Sequence, residues 1–175
     1  MALLKTPVSK DDHIQGNFNA PITLVEYGDY ECPYCGNAEP IVKNLQKHFS
    51  KQMRFIFRNF PLAEVHPYAM LAAETAEFAD SKGKFWEMHD LLYKNQSLLN
   101  PELCIKLVQG LKLPTEEYEI AIQNHAFEEK IKRSFMSGVR SGVNGTPTFF
   151  INEQRYNGPA ELEEMISAIE EAVNV

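Results

Sequence analysis

Cysteine is scarce in this sequence: Cys32, Cys35 and Cys104 are the only three in 175 residues. A fold stapled by disulfides needs a denser set, so that class is excluded. Long apolar runs are missing too. None reaches the roughly 18 residues of a membrane helix, and mean hydropathy is −0.32. Positive charge is in deficit, with 17 Lys and Arg against 24 Asp and Glu for a net charge of −7. An acidic chain of this kind has no overall field for nucleic acid. Hydrophobic residues make up 44% of the chain, which removes disorder as its main state. The opening Met1-Ala2-Leu3-Leu4-Lys5-Thr6-Pro7 lacks the basic region, apolar core and cleavage site of a secretory leader. The expectation from that start is a cytoplasmic protein, or a periplasmic one if a leader was removed ahead of the numbering.

At roughly 150 residues per domain, the length suits one domain or one domain carrying an insertion. Residues 1–20 read as a polar lead-in arm. Ile22 to Tyr27 is β-branched and apolar between Pro21 and Gly28, a buried strand in which only Glu26 is out of place. From Pro33 to Phe49 the apolar residues Ile41, Val42, Leu45 and Phe49 follow helical spacing, with Pro33 fit for a first turn and Pro40 set to kink the helix. Met53 to Arg58 reads as a second strand. Helical signals then run from about His66 to Gly142, including an alanine face from Ala69 to Ala79 and a stripe of Phe127, Ile131, Phe135 and Val139. Strands return at Thr148–Ile151 and near Arg155-Tyr156, and a last helix carries Leu162, Met165, Ile166, Ile169 and Val173. The order β–α–β, helical block, β–β–α predicts one mixed sheet with helices on its faces and the helical block as an insertion.

Cys32-Pro33-Tyr34-Cys35 follows the first strand and opens a helix. Unpaired N–H groups and the dipole at a helix start favour a thiolate, so the Cys32 pKa should fall below the free value of about 8.5. Cys35 lies a turn inside and should be buried and protonated. That asymmetry makes Cys32 the attacking sulfur and Cys35 the resolving one. A structural zinc site would need two further ligands, and the sequence has no second Cys-x-x-Cys and no closely spaced His pair. Cys104, between Leu103 and Ile105, reads as a buried inert thiol. Trp86 and Phe85 read as core, and each of the five His reads as a surface or capping residue.

In three separated features the chain resembles the DsbA-like branch of the thioredoxin superfamily. They are Leu24 to Cys35, Val143-Asn144-Gly145-Thr146-Pro147-Thr148-Phe149-Phe150-Ile151, and the intervening helical stretch with Gly83-Lys84-Phe85-Trp86-Glu87-Met88-His89. The resemblance implies an α/β thioredoxin-like fold, with 1–62 and 143–175 forming the thioredoxin-like domain and 63–142 an inserted helical domain. It also implies a cis Thr146-Pro147 peptide facing the two cysteines, where the residues alone allow a strand-entry proline. Thr146 and Pro147, with Pro33 and Tyr34, form the expected substrate-binding set, the Thr146 backbone pairing with an extended segment. Glu26 is expected as a proton-relay acid beneath Cys35, the alternative being a solvated strand-face residue.

The activity expected is thiol–disulfide exchange with protein or small disulfide and thiol substrates and a redox recycling partner. No cofactor beyond the Cys32-Cys35 disulfide and no metal is expected. Two other readings compete: a redox-inactive peptide-binding module on the same fold, and a glutathione-linked transferase or isomerase. Tyr34 brings no positive charge to the motif's second inner position, and Asp29 and Glu31 add negative charge nearby. Both argue for a reduction potential between about −120 and −270 mV, the values of DsbA and thioredoxin.

Overall fold

The computed structural model describes residues 2–173; Met1, Asn174 and Val175, and with them the outer ends of the expected domain halves, lie outside the described residues. Among the described residues the strands are β1 (His13–Gln15), β2 (Ile22–Gly28), β3 (Met53–Asn59), β4 (Thr148–Ile151) and β5 (Gln154–Arg155). The helices are α1 (Pro33–Phe49), α2 (Ala69–Ser81), α3 (Phe85–Lys94), α4 (Pro101–Gly110), α5 (Thr115–Gln123), α6 (Glu128–Arg140) and α7 (Leu162–Val173). The sheet runs β1-β3-β2-β4-β5, with β2 and β3 parallel and every other pairing antiparallel.

Strand β2 is central and buried at all seven positions, which is why it reads as a continuous apolar run rather than an alternation. Its side chains still divide between two faces. Ile22 and Leu24 join Phe55, Phe57, Phe149 and Ile151 in the larger core, together with Val42 and Leu45 of α1 and Met165 and Ile169 of α7. Val25 and Tyr27 join Ile56, Phe60 and Phe150 in the smaller one. Glu26 is in phase with Leu24, so it faces the α1 layer. Its neighbours across the ladder are Phe57 and Phe149.

The alanine face of α2 is buried as expected and lets that helix approach the larger core. Two expectations are corrected. The first 20 residues are not simply an arm, because β1 pairs with β3 and Leu3 bridges to Gln154. This covers an edge of β3 that would otherwise leave its hydrogen-bonding groups open. Arg58 pins the segment by donating to Asp12 Oδ1 (2.7 Å) and to the carbonyls of Thr6 (2.9 Å) and Pro7 (3.2 Å). The α6 stripe also ends early. Val139 is exposed, and Ser137 and Gly138 are buried in its place.

Candidate active site

Cys32 is the N-cap of α1, in extended conformation, and no side chain caps the helix. The first-turn N–H groups are therefore free to meet a sulfur at Cys32. Pro33 occupies the first turn, where its missing N–H costs nothing. Pro33 and Tyr34 are exposed, Tyr34 at 73%, while Cys32 is 3% and Cys35 0% exposed. Both sulfurs are free thiols.

The returning segment before β4 supplies the opposite wall. The Thr146-Pro147 peptide is cis, and the Cys32 thiol donates to the Thr146 carbonyl at 3.4 Å. Residues remote in sequence thus meet at one sulfur. Beside them a groove of about 740 Å³ runs between Tyr34, Asn37, Thr146, Pro147 and Tyr156.

The two thiols differ sharply in acidity. Cys32 is lowered to about 5 by the hydrogen bond from the Cys35 thiol, then, against burial, by the Thr146 side chain and the N–H groups of Cys35 and Tyr34. The buried Thr146 hydroxyl has no other partner, which leaves it available to the sulfur. Cys35 is pushed well up by burial, by its hydrogen bond to Cys32 and by the charges of Glu26 and Cys32. Identical side chains a turn apart are therefore poised in opposite protonation states near neutral pH.

Glu26 is 1% exposed and neither carboxyl oxygen has a hydrogen-bond partner. Burial pushes its pKa well up, and the charges of Glu39 and Cys32 push the same way, so the site disfavours the carboxylate. This rules out the solvated strand-face alternative. Gly28, two residues on, matters here, since a Cβ there would strike the Phe57 ring and crowd Glu26 Oε1.

Other residues at the site were not picked out from the sequence. Glu39 follows Cys35 by four residues on α1, a spacing that puts both on one helix face and could have flagged it. It lies below the ordinary carboxylate range despite burial, beside His89 and Lys43. Tyr93, from α3, has a buried hydroxyl without a partner, and burial raises its pKa, as do the charges of Cys35 and Glu26. Gln96 donates from Nε2 to the carbonyls of Tyr30 and Cys32, both at 2.8 Å. The helical segment between β3 and β4 thereby touches the backbone of Cys32, and Gly36 leaves the room that Gln96 needs.

The reading of every His as surface or capping is corrected at two positions. His89 is fully buried, which pushes its pKa down, and its Nδ1 lies 3.0 Å from the Tyr30 hydroxyl. His13 is 9% exposed, stacked on Phe85 at 3.5 Å and bonded to Glu77 at 2.8 Å. Sequence gave no warning, because both are buried by partners distant along the chain. Phe85 is core as expected, and Trp86 packs against it while donating to the Ile14 carbonyl at 3.3 Å. Cys104 is 1% exposed and raised by burial. Among the described residues, the clusters that could ligate a metal are His13, Glu77, Asp80 and Glu39, His89, Asp90. Neither contains a cysteine, and Lys130 and Lys43 already sit on their carboxylates.

Comparison with known proteins agrees with this geometry. The family model described as Thioredoxin matches residues 8–171. Among curated proteins, the Na(+)/H(+) antiporter NhaA 3 of Salinispora tropica is 41% identical over 167 residues, covering 95% of this chain and 26% of that protein. The Na(+)/H(+) antiporter NhaA of Herminiimonas arsenicoxydans is 34% identical over 169 residues, covering 96% and 27%. The chain spans about a quarter of the length of the curated relatives it matches. Among solved structures, oxidised BdbD from Bacillus subtilis superposes with a TM-score of 0.89 at 24% identity, covering 99% of both chains. Alpha-DsbA1 from Wolbachia pipientis gives 0.83 at 19% identity, covering 98% of this chain and 94% of its own. These likenesses establish the fold that the resemblance implied.

Proposed function

The chain belongs to the thioredoxin family, and from that premise we propose that it is a thiol–disulfide oxidoreductase working through Cys32 and Cys35. The observation that carries this reading is the inequality of the two thiols, Cys32 lowered to about 5 and Cys35 pushed well up. A structural or merely peptide-holding pair has no use for such a difference.

In the oxidising direction, a substrate thiolate attacks Cys32 Sγ in the Cys32-Cys35 disulfide. That bond breaks, its electron pair goes to Cys35, and Glu26 relays the proton that neutralises the Cys35 thiolate. A second substrate thiolate attacks the substrate sulfur of the mixed disulfide, and Cys32 leaves as the better thiolate. The substrate gains a disulfide and the protein is left as the dithiol. The reverse sequence reduces a disulfide: Cys32 attacks, Glu26 first gives up its own proton to solvent, and its carboxylate then takes the proton of Cys35, which resolves the mixed disulfide. Thr146, Pro147, Pro33 and Tyr34 frame the sulfur, and the groove beside them suits an extended segment. A second redox protein or a small thiol returns the pair to its starting state.

The solved neighbours with disulfide-exchange titles support this reading, among them the thiol-disulfide exchange protein alpha-DsbA2 from Wolbachia pipientis. Sodium–proton exchange is not part of it, because the match covers about a quarter of the antiporter chains. No described helix is long and apolar enough to cross a membrane.

The test is capture. Cys35→Ala incubated with glutathione disulfide or a disulfide-bonded peptide should accumulate an adduct on Cys32, visible by mass under non-reducing conditions. Cys32→Ala should abolish exchange, and Cys104→Ala should leave it nearly unchanged. Turnover surviving in Cys32→Ala, or no adduct on Cys35→Ala, contradicts the proposal.

A further inference from the structure

Asp29 stands three residues before Cys32, and its side chain is fully buried. Its N–H donates to Cys35 Sγ at 3.5 Å and its carbonyl accepts from Cys32 N at 3.1 Å. The carboxyl also ties two loops together. Oδ1 accepts from Glu31 N at 2.8 Å, while Oδ2 reaches the loop after β3 and accepts from Leu62 N at 2.9 Å and His66 Nδ1 at 2.7 Å. Glu31 pins the same loop by accepting from Tyr68 N at 2.6 Å. His66 is thereby fixed against the active-site turn, with its ring 19% exposed.

This arrangement changes the electrostatic picture drawn from sequence. Asp29 and Glu31 were expected to oppose the Cys32 thiolate. Instead both are turned onto the β3–α2 loop, and Asp29 is matched by an imidazole. Burial works against the charged ring, yet the hydrogen bond and charge of Asp29 outweigh it, and the charges of Cys32 and Glu31 add to the rise in the His66 pKa. One residue of the β2–α1 turn thus joins the two groups, Asp29 holding His66 Nδ1 through its carboxyl and Cys32 N through its carbonyl; Glu31 lies on the same turn, and Glu64 two residues before His66 on its own loop.

We propose that His66, oriented by buried Asp29, is the positioning residue whose cation stabilises the Cys32 thiolate, a charge that Tyr34 within the motif does not provide. This rests on the reading of Cys32 as the redox sulfur. The physical content is linkage: if the thiolate favours the imidazolium, the imidazolium favours the thiolate by the same factor. The disulfide carries no such charge. His66 must therefore bind its proton more tightly in the dithiol form than in the disulfide form, and the dithiol form must lose stability when the cation is removed.

Proton NMR titration of the His66 ring in both redox forms of the unaltered protein reads this directly, with His66→Asn identifying the resonance. Asn can place an amide nitrogen near the Nδ1 position, so the bond to Asp29 is kept while the titration is lost. The expected result is a higher His66 pKa in the dithiol form. In glutathione buffers at pH 6, His66→Asn should favour the disulfide form by about two- to five-fold relative to the parent, the range for one partly screened charge pair. The difference should shrink and vanish as pH rises through the His66 titration observed in the unaltered protein. Equal His66 pKa values in the two forms overturn the proposal, as does a pH-independent effect of His66→Asn. If His66→Asn does not fold, the titration of the unaltered protein decides. Failure of the parent to form a reversible Cys32-Cys35 disulfide would instead overturn the oxidoreductase reading itself.

Discussion

Cys32 and Cys35 carry the same side chain, and position alone separates them. One sits at the bare start of α1 among donors; the other lies a turn inside, near a carboxyl whose pKa burial pushes well up. Glu26 has no hydrogen-bond partner, so its burial is a cost that packing does not explain. Glu26→Gln should therefore separate two steps of the reaction. Alkylation of Cys32 should still rise as pH increases through about 5 and then level off, because the groups that lower the Cys32 pKa are the Cys35 thiol, Thr146 and the first-turn N–H groups. Release of the mixed disulfide, which needs a proton moved at Cys35, should slow by about ten-fold or more at pH 7. Stopped-flow exchange and iodoacetamide labelling measure the two. A release rate unchanged from the parent would remove Glu26 from the mechanism. The positions of these three residues were legible in the sequence, as two cysteines a helical turn apart and one acid in an apolar strand; a relay role for Glu26 came only with the family resemblance. Asp29, His66, Gln96 and Tyr93 were not legible, since each matters through a partner on another loop or helix.

At the scale of elements, long periodic segments were read well and short or mixed ones poorly. Strands β2 and β3 and helices α1, α2 and α7 announce themselves by runs or periods of apolar residues. Strand β1 is three residues, His13-Ile14-Gln15, and has no such pattern. The α6 error has a geometric cause. A four-residue repeat drifts around a helix of 3.6 residues per turn, so by Val139 it is about 120° from Phe127, whereas Gly138 is only about 20° away. The helix accordingly sets Gly138 against the sheet, where an added Cβ would lie 2.8 Å from the Phe60 ring and 2.9 Å from Tyr27. Gly138→Ala should destabilise the protein by about 1–2 kcal/mol through overpacking, despite the better helix propensity of Ala. Urea unfolding followed by circular dichroism checks this, and a stabilised variant would mean that α6 can shift outward without loss.

Over the whole molecule, the site is assembled from segments more than 100 residues apart, and the sheet makes that possible. β2 leads into Cys32, β4 begins just after Pro147, and the two strands pair directly from Leu24-Ile151 to Tyr27-Thr148. The order of elements in the sequence was enough to read this architecture, because a β–α–β unit and a returning β–β–α complete one sheet. What it could not show is how the helical segment contributes, by Gln96 on the Cys32 carbonyl and by Tyr93 beside Cys35 and Glu26. A Cys32 pKa of about 5 falls between the values of about 7 for thioredoxin and 3.5 for DsbA. Thiolate stability and oxidising power rise together, because a stabilised dithiol form draws electrons toward it. The most direct measurement is the reduction potential of the Cys32-Cys35 pair, with the disulfide located by mass after equilibration in defined glutathione buffers at pH 7. The expected result is one reversible two-electron couple between about −120 and −270 mV, unaffected by Cys104→Ala. A pair that never closes, or a couple that disappears with Cys104 rather than with Cys32, would contradict the assignment of this site.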